Sequence, residues 1–128
     1  MGRILVVDDQ RNLRVTTALL LRSEGHIVHE AQSGEEALAI LASHEVDVMV
    51  TDLRMEPMDG LTLLQKARER TPRLQVIIMT AFGSPETAAE AMRLGACDYL
   101  AKPLTMAVLR RTVGRALELA RAKPSPLS

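Results

Sequence analysis

Tryptophan is absent from this chain of 128 residues, and phenylalanine, tyrosine and cysteine occur once each, as Phe82, Tyr99 and Cys97. A core built from it must therefore be aliphatic. One cysteine excludes a disulfide framework within the chain and any CxxC metal pattern, which fits a reducing cytoplasm. Cys97 itself reads as a small buried hydrophobe. No charge of one sign dominates: the formal net charge is +0. That balance argues against direct nucleic-acid binding and against a membrane-surface role. No apolar run approaches the ~18 residues that span a bilayer. The first run, 4–7, is too short for the core of a secretory signal before Asp8 and Asp9 interrupt it. The expected location is cytoplasmic. The length suits one domain, large enough to bury a core without staples. Residues 1–122 are expected to form it, with 123–128 (Lys-Pro-Ser-Pro-Leu-Ser) a linker-like tail.

What is present is an alternation. Short apolar runs at 4–7, 27–31, 46–51, 74–80 and 98–101 read as buried strands. Between them lie stretches with helical spacing. The first, 10–24, carries Leu13, Thr16, Thr17, Leu20 and Leu21 and stops at Gly25. Ser33 caps a second with Ala37, Leu38 and Leu41 on one face. Leu61, Leu64 and Ala67 mark a third, which ends near Thr71-Pro72. Ser84-Pro85 opens a fourth through Ala88, Ala91, Met92 and Leu94, stopped by Gly95, and Thr105 caps a last one to about Ala122. A strand-helix unit repeated in this way predicts an α/β domain: one doubly wound, five-stranded parallel sheet with helices on both faces and right-handed crossovers. Ligands of such sheets bind outside the carboxyl ends of the strands.

Those ends carry the chemistry. Asp8 and Asp9 end the first run, Asp52 follows the third, Thr80 ends the fourth, and Lys102-Pro103 follows the fifth. In a parallel sheet these side chains meet at one edge. Three carboxylates supply the oxygen-only donors that Mg²⁺ prefers. Asp52, on the middle strand, is the candidate nucleophile, since a carboxylate can take a phosphoryl group covalently. Lys102 would place a point charge on a phosphoryl oxygen, and Ala81 leaves room for one. The bland alternative, an acidic turn with Asp9 capping the next helix, explains Asp9 but not Asp52 or Lys102. Thr80 alone would read as a strand residue satisfied by its own backbone, and Tyr99 alone as a half-buried aromatic. Together with the acids they read as a hydroxyl in the site and a rotamer switch that follows its movement.

The segments ILVVDD, VTDLRM followed by MDG, MTA and DYLAKP resemble the receiver domain of bacterial two-component response regulators over residues 3–122. The resemblance implies a flavodoxin-like sheet in the order 2-1-3-4-5. It implies that Asp52 is the phosphoacceptor for a sensor histidine kinase, that Asp8, Asp9, Asp52 and the backbone carbonyl of Arg54 hold Mg²⁺, and that Thr80 and Lys102 bind the phosphoryl group. Thr80 and Tyr99 would carry the conformational switch, and the Lys102-Pro103 bond would be cis. Such a domain is a phosphoacceptor with self-catalysed transfer and autodephosphorylation rather than an enzyme. The stretch from Thr80 to Leu104 is similar to the nitrogen-regulation, enhancer-binding type, whose transcriptional output lies in other domains. One departure stands out: the family's Met-Pro-x-Met loop is here Met55-Glu56-Pro57-Met58, which shifts the proline by one place and adds a carboxylate. Leu104 stands where many relatives have Phe, a packing difference.

Other readings share these residues. A Mg²⁺-dependent phosphohydrolase with an aspartate nucleophile would need acids spaced Asp-x-Asp and a cap over its substrate, whereas Asp8 and Asp9 are adjacent. A receiver that works by protein contact without phosphate would not need the full acidic, Thr and Lys set. A flavin site would need a phosphate-cradling loop where this chain has acids. In the last helix Leu109, Val113, Ala116 and Ala120 form a core stripe flanked by Val108 and Leu119. Either that face is simply wide, or it is a homodimer surface built with the fourth helix and fifth strand. His26, His29 and His44 show no ligand spacing and read as surface histidines.

Overall fold

The computed structural model describes residues 2–122, and the tail expected at 123–128 lies outside them. Five strands, β1 (Arg3–Val7), β2 (Ile27–Ala31), β3 (Val48–Asp52), β4 (Gln75–Thr80) and β5 (Asp98–Ala101), alternate with five helices, α1 (Arg11–Ser23), α2 (Gly34–Ser43), α3 (Gly60–Arg70), α4 (Pro85–Arg93) and α5 (Met106–Ala122). All strand pairs are parallel, in the order β2-β1-β3-β4-β5. The chain therefore winds one way from β1 to β2 and the other way from β3 onward, and the ends of β1 and β3 lie side by side at the reversal.

Alternation along each strand divides the core in two. Leu5, Val7, Met49, Val76 and Ile78 pack against Ala37, Leu38, Leu63, Leu64, Ala67 and Ala91 of α2, α3 and α4. Ile4, Val6, Val48, Val50, Ile77 and Met79 pack against Ala18 and Leu21 of α1 and Leu109, Val113, Ala116 and Leu117 of α5. The inner strands are buried on both faces, so they read as continuous apolar runs rather than alternating ones. Burial of each large aliphatic side chain in such a core contributes roughly 1.5–3 kcal/mol.

The caps explain the helix bounds. The Ser33 hydroxyl accepts from Glu36 N–H, the Asp59 carboxylate from Thr62 N–H and the Thr105 hydroxyl from Val108 N–H. Gly25 and Gly95 follow α1 and α4 with φ of 89° and 98°, the left-handed stop that an L side chain resists.

Several sequence expectations shift. On α1 the buried residues are Ala18 and Leu21, while Leu13 is 41% exposed. On α4 only Ala91 is buried and Met92 is 51% exposed, because that short helix packs at the sheet's edge. Thr112 and Leu117 join the α5 core, and Ala120 is only partly buried. Cys97 is half-buried beside the second core cluster. The histidines are not simply surface groups. His26 Nδ1 accepts from Gly2 N–H at 3.0 Å, and the rings of His29 and His44 lie 4.6 Å apart. Burial and nearby positive charge, Arg121 included, hold His26 below its ordinary value, with Glu24 pulling the other way.

Candidate functional site

The turn after β1 aims Asp8 inward. Its backbone N–H completes the ladder to the Ala31 carbonyl at 3.1 Å, and Oδ1 accepts from Gln10 N–H at 2.9 Å. That bond stops at Gln10, the N-cap of α1, whose first turn has no side-chain cap, so Asp9 does not cap the helix and remains exposed. Asp52 is the last residue of β3 and is 8% exposed. Its Oδ1 accepts from Leu53 N–H at 2.8 Å. Oxygens of Asp8, Asp9 and Asp52 lie within 4.8 Å of one another. Lys102 reaches across from the end of β5, with Nζ 3.1 Å from Asp8 Oδ2 and 3.5 Å from Asp52 Oδ2. Its own N–H donates to the Thr80 carbonyl at 2.9 Å, and the bond to Pro103 is cis.

Burial, with the adjacent Asp8 charge assisting, raises the Asp52 carboxyl above its ordinary value, against the pull of Lys102 and the backbone N–H groups of Leu53 and Arg54. One ammonium balances one of three carboxylates, so the cluster has surplus negative charge beside an open side. A recess of ~270 Å³ there is lined by Asp9, Gln10, Leu13, Asp52, Arg54, Ala81, Phe82 and Lys102. The donor set is all oxygen, partly buried and open to water, which suits a hard cation that keeps several waters. Among the described residues, no buried side-chain polar atom lacks a partner.

Thr80 ends β4 at the same edge, but its hydroxyl is engaged locally, accepting from Phe82 N–H at 3.0 Å. Tyr99 lies on β5 with its hydroxyl 2.7 Å from Thr87 Oγ1. The sequence reading did not single out Thr87, although Ser-x-x-Thr ahead of an apolar helix is a cap signal. It also gave no sign of the Arg54 guanidinium over the Phe82 ring, 5.1 Å from its centroid, since that contact joins two separate loops. The displaced proline follows a second cis bond, Glu56-Pro57.

A family profile described as response regulator receiver domain matches residues 4–114. The chain belongs to that family. This receiver domain is 43% identical over 114 residues to the transcriptional regulatory protein ZraR of Salmonella typhimurium, a match covering 89% of this chain and 26% of that protein. NtrX from Brucella abortus, solved in complex with ATP, superposes with a TM-score of 0.88 at 34% identity, over 94% of this chain and 28% of that one. The beryllofluoride-activated NtrC4 receiver domain dimer superposes with a TM-score of 0.89 at 31% identity, over 94% and 99%. The receiver spans 26% of the length of the first curated relatives it matches. It is a receiver of two-component response regulators, its relatives include transcriptional regulators, and the likeness to the nitrogen-regulation type holds. Among the described residues, no helix is long and apolar enough to cross a membrane.

Proposed function

We propose that this receiver is a phosphorylation-controlled switch in the cytoplasm, with Asp52 as phosphoacceptor and a sensor histidine kinase as donor. The observation that carries it is the meeting of Asp8, Asp9 and Asp52 within 4.8 Å beside the Lys102 ammonium. An Asp52 carboxylate oxygen attacks the phosphorus of the donor phosphohistidine. The phosphorus–nitrogen bond breaks, and the leaving imidazole keeps the electron pair. Asp8, Asp9, Asp52 and the Arg54 carbonyl would hold Mg²⁺, which when bound supplies Lewis-acid charge to the phosphoryl oxygens. Lys102 turns from Asp8 toward a phosphoryl oxygen, and the Thr80 hydroxyl leaves Phe82 N–H to donate to another. Tyr99 follows Thr80. This self-catalysed chemistry ends in hydrolysis of the acyl phosphate, so the domain resets a switch rather than turning over a substrate.

The output is control of transcription through a module outside these residues. Residues 1–122 act as the receiver and 123–128 as its link. The exposed Met92 on α4 and Leu119 on α5 support a homodimer through α4, β5 and α5 in the phosphorylated state. Borohydride trapping tests the assignment. After reaction with acetyl phosphate and Mg²⁺, peptide mapping should find homoserine at position 52. Label at Asp8, Asp9 or elsewhere, with Asp52 unmodified, would overturn it.

A further inference from the structure

His29 and His44 show no ligand spacing in the sequence, yet the fold sets their rings side by side. The ring centroids are 4.6 Å apart and the planes are tilted by 52°. His29 stands midway along β2 in register with Leu5, so it faces the layer of α2 and α3, as Leu5 and Ala31 do. His44 is the C-cap of α2. His29 is partly buried and His44 exposed. The two imidazoles thus meet at the seam between an edge strand and the helix that follows it. That helix starts at the carboxyl ends of the strands and runs back along the sheet, so His44 lies at the edge remote from Asp52.

Ser43 orients the exposed ring. Its Oγ is 3.1 Å from the Ala39 carbonyl oxygen and 2.9 Å from His44 Nδ1. A hydroxyl has one proton and two acceptor sites. With that proton on the carbonyl, Oγ accepts from His44 Nδ1–H, and Nε2 keeps a free lone pair. A metal-ligating histidine is held in this way by the bond its other nitrogen makes. Among the described residues no side-chain hydrogen bond occupies the His29 ring. No third protein donor joins the pair: among the described residues, Asp8, Asp9 and Asp52 are the one group of three that could hold an ion. Water would fill the remaining positions.

Two imidazoles bound to one ion through nitrogens at ~2.0–2.1 Å have centroids about 4.5 Å apart at a right angle and about 5.2 Å apart at the tetrahedral angle. The observed 4.6 Å fits the right angle, the geometry of Cu²⁺ and Ni²⁺ rather than Zn²⁺. We infer that His29 and His44 form a two-histidine site for a divalent ion of the Ni²⁺ and Cu²⁺ class, which clips β2 to the end of α2. Imidazole nitrogens suit such ions, whereas the all-oxygen cluster at Asp52 suits hard ones. The site does not rest on the phosphoacceptor reading.

The chain has three histidines, so His26 serves as an internal control. Ni²⁺ is a paramagnetic probe. Titrated into the nitrogen-15-labelled chain in saturating Mg²⁺, it should broaden the side-chain resonances of His29 and His44 together while His26 stays sharp. By calorimetry under the same conditions, His29→Gln and His44→Gln should each weaken Ni²⁺ binding by about 100-fold, because the remaining imidazole loses its chelate partner. Ser43→Ala should cost about tenfold, and Ser43→Thr should keep most of the affinity. Ni²⁺ should raise the melting temperature of wild type but not of His44→Gln, and melts in a chelator check that each variant folds.

An affinity within about twofold of wild type for either histidine variant would mean an adventitious ion only and would overturn the site. Broadening of His26 in step with the other two rings would do the same. Tighter binding of Zn²⁺ than of Ni²⁺ at the pair would overturn the right-angle assignment.

Discussion

Lys102 and Asp52 affect stability in opposite ways, although both belong to one cluster. Asp8 is fully buried and the Lys102 side chain is 13% exposed. Removing the ammonium leaves buried carboxylates without a counter-charge, so Lys102→Met should destabilise the metal-free protein by ~3 kcal/mol. Asp52→Asn relieves crowding among three acids and should raise the metal-free melting temperature. Wild type should gain ~1.4 kcal/mol when Mg²⁺ stands at ten times its dissociation constant, a gain that Asp52→Asn should largely lose. Thermal melts with and without Mg²⁺ check all three. His26 gives a pH dependence away from the site. Its folded value lies below the ordinary 6.5, so the unfolded chain takes up the proton first as pH falls. Stability should therefore drop as pH passes down through 6.5, and the loss should be complete below the folded value. His26→Gln should flatten that part of the melting curve against pH.

At the scale of elements, α3 is pressed onto the strand that carries Asp52. A Cβ on Gly60 would come 2.4 Å from the Asp52 carbonyl oxygen and 2.9 Å from Leu53 Cα, both backbone atoms that cannot swing aside. Gly60→Ala should cost about 1–3 kcal/mol, as overpacking does, and should slow phosphoryl transfer by displacing the Asp52 main chain. Chemical denaturation and a phosphorylation time course would read the two effects. The elements themselves were legible because inner strands of a parallel sheet are apolar throughout and Gly25, Ser33, Ser84 and Gly95 punctuate the helices. The outer face of α1 was not legible. Leu13 has helical spacing yet sits at the rim of the site, where spacing cannot tell a core residue from one that lines a recess. Met92 lies in the expected fourth helix yet stands exposed for a related reason: an edge helix buries a narrow stripe.

For the whole molecule, sheet order converts polar positions at the ends of separate strands into neighbours. Asp8, Asp52 and Lys102 could be read as one site because each follows an apolar run, and parallel strands put such positions on one edge. The details between loops were hidden from the sequence. The Arg54–Phe82 stack, the Thr87–Tyr99 contact and the local bond of Thr80 depend on loop paths that carry no periodic pattern. The cis Lys102-Pro103 bond was expected from the resemblance, whereas the cis Glu56-Pro57 bond was not.

The central claim is that the acid cluster makes Asp52 a Mg²⁺-dependent phosphoacceptor. Intact-mass spectrometry of the chain incubated with acetyl phosphate tests it most directly. The account predicts one phosphoryl group per chain with Mg²⁺, none after chelation, and none on Asp52→Asn. Equal labelling of wild type and Asp52→Asn, or labelling indifferent to Mg²⁺, would contradict it.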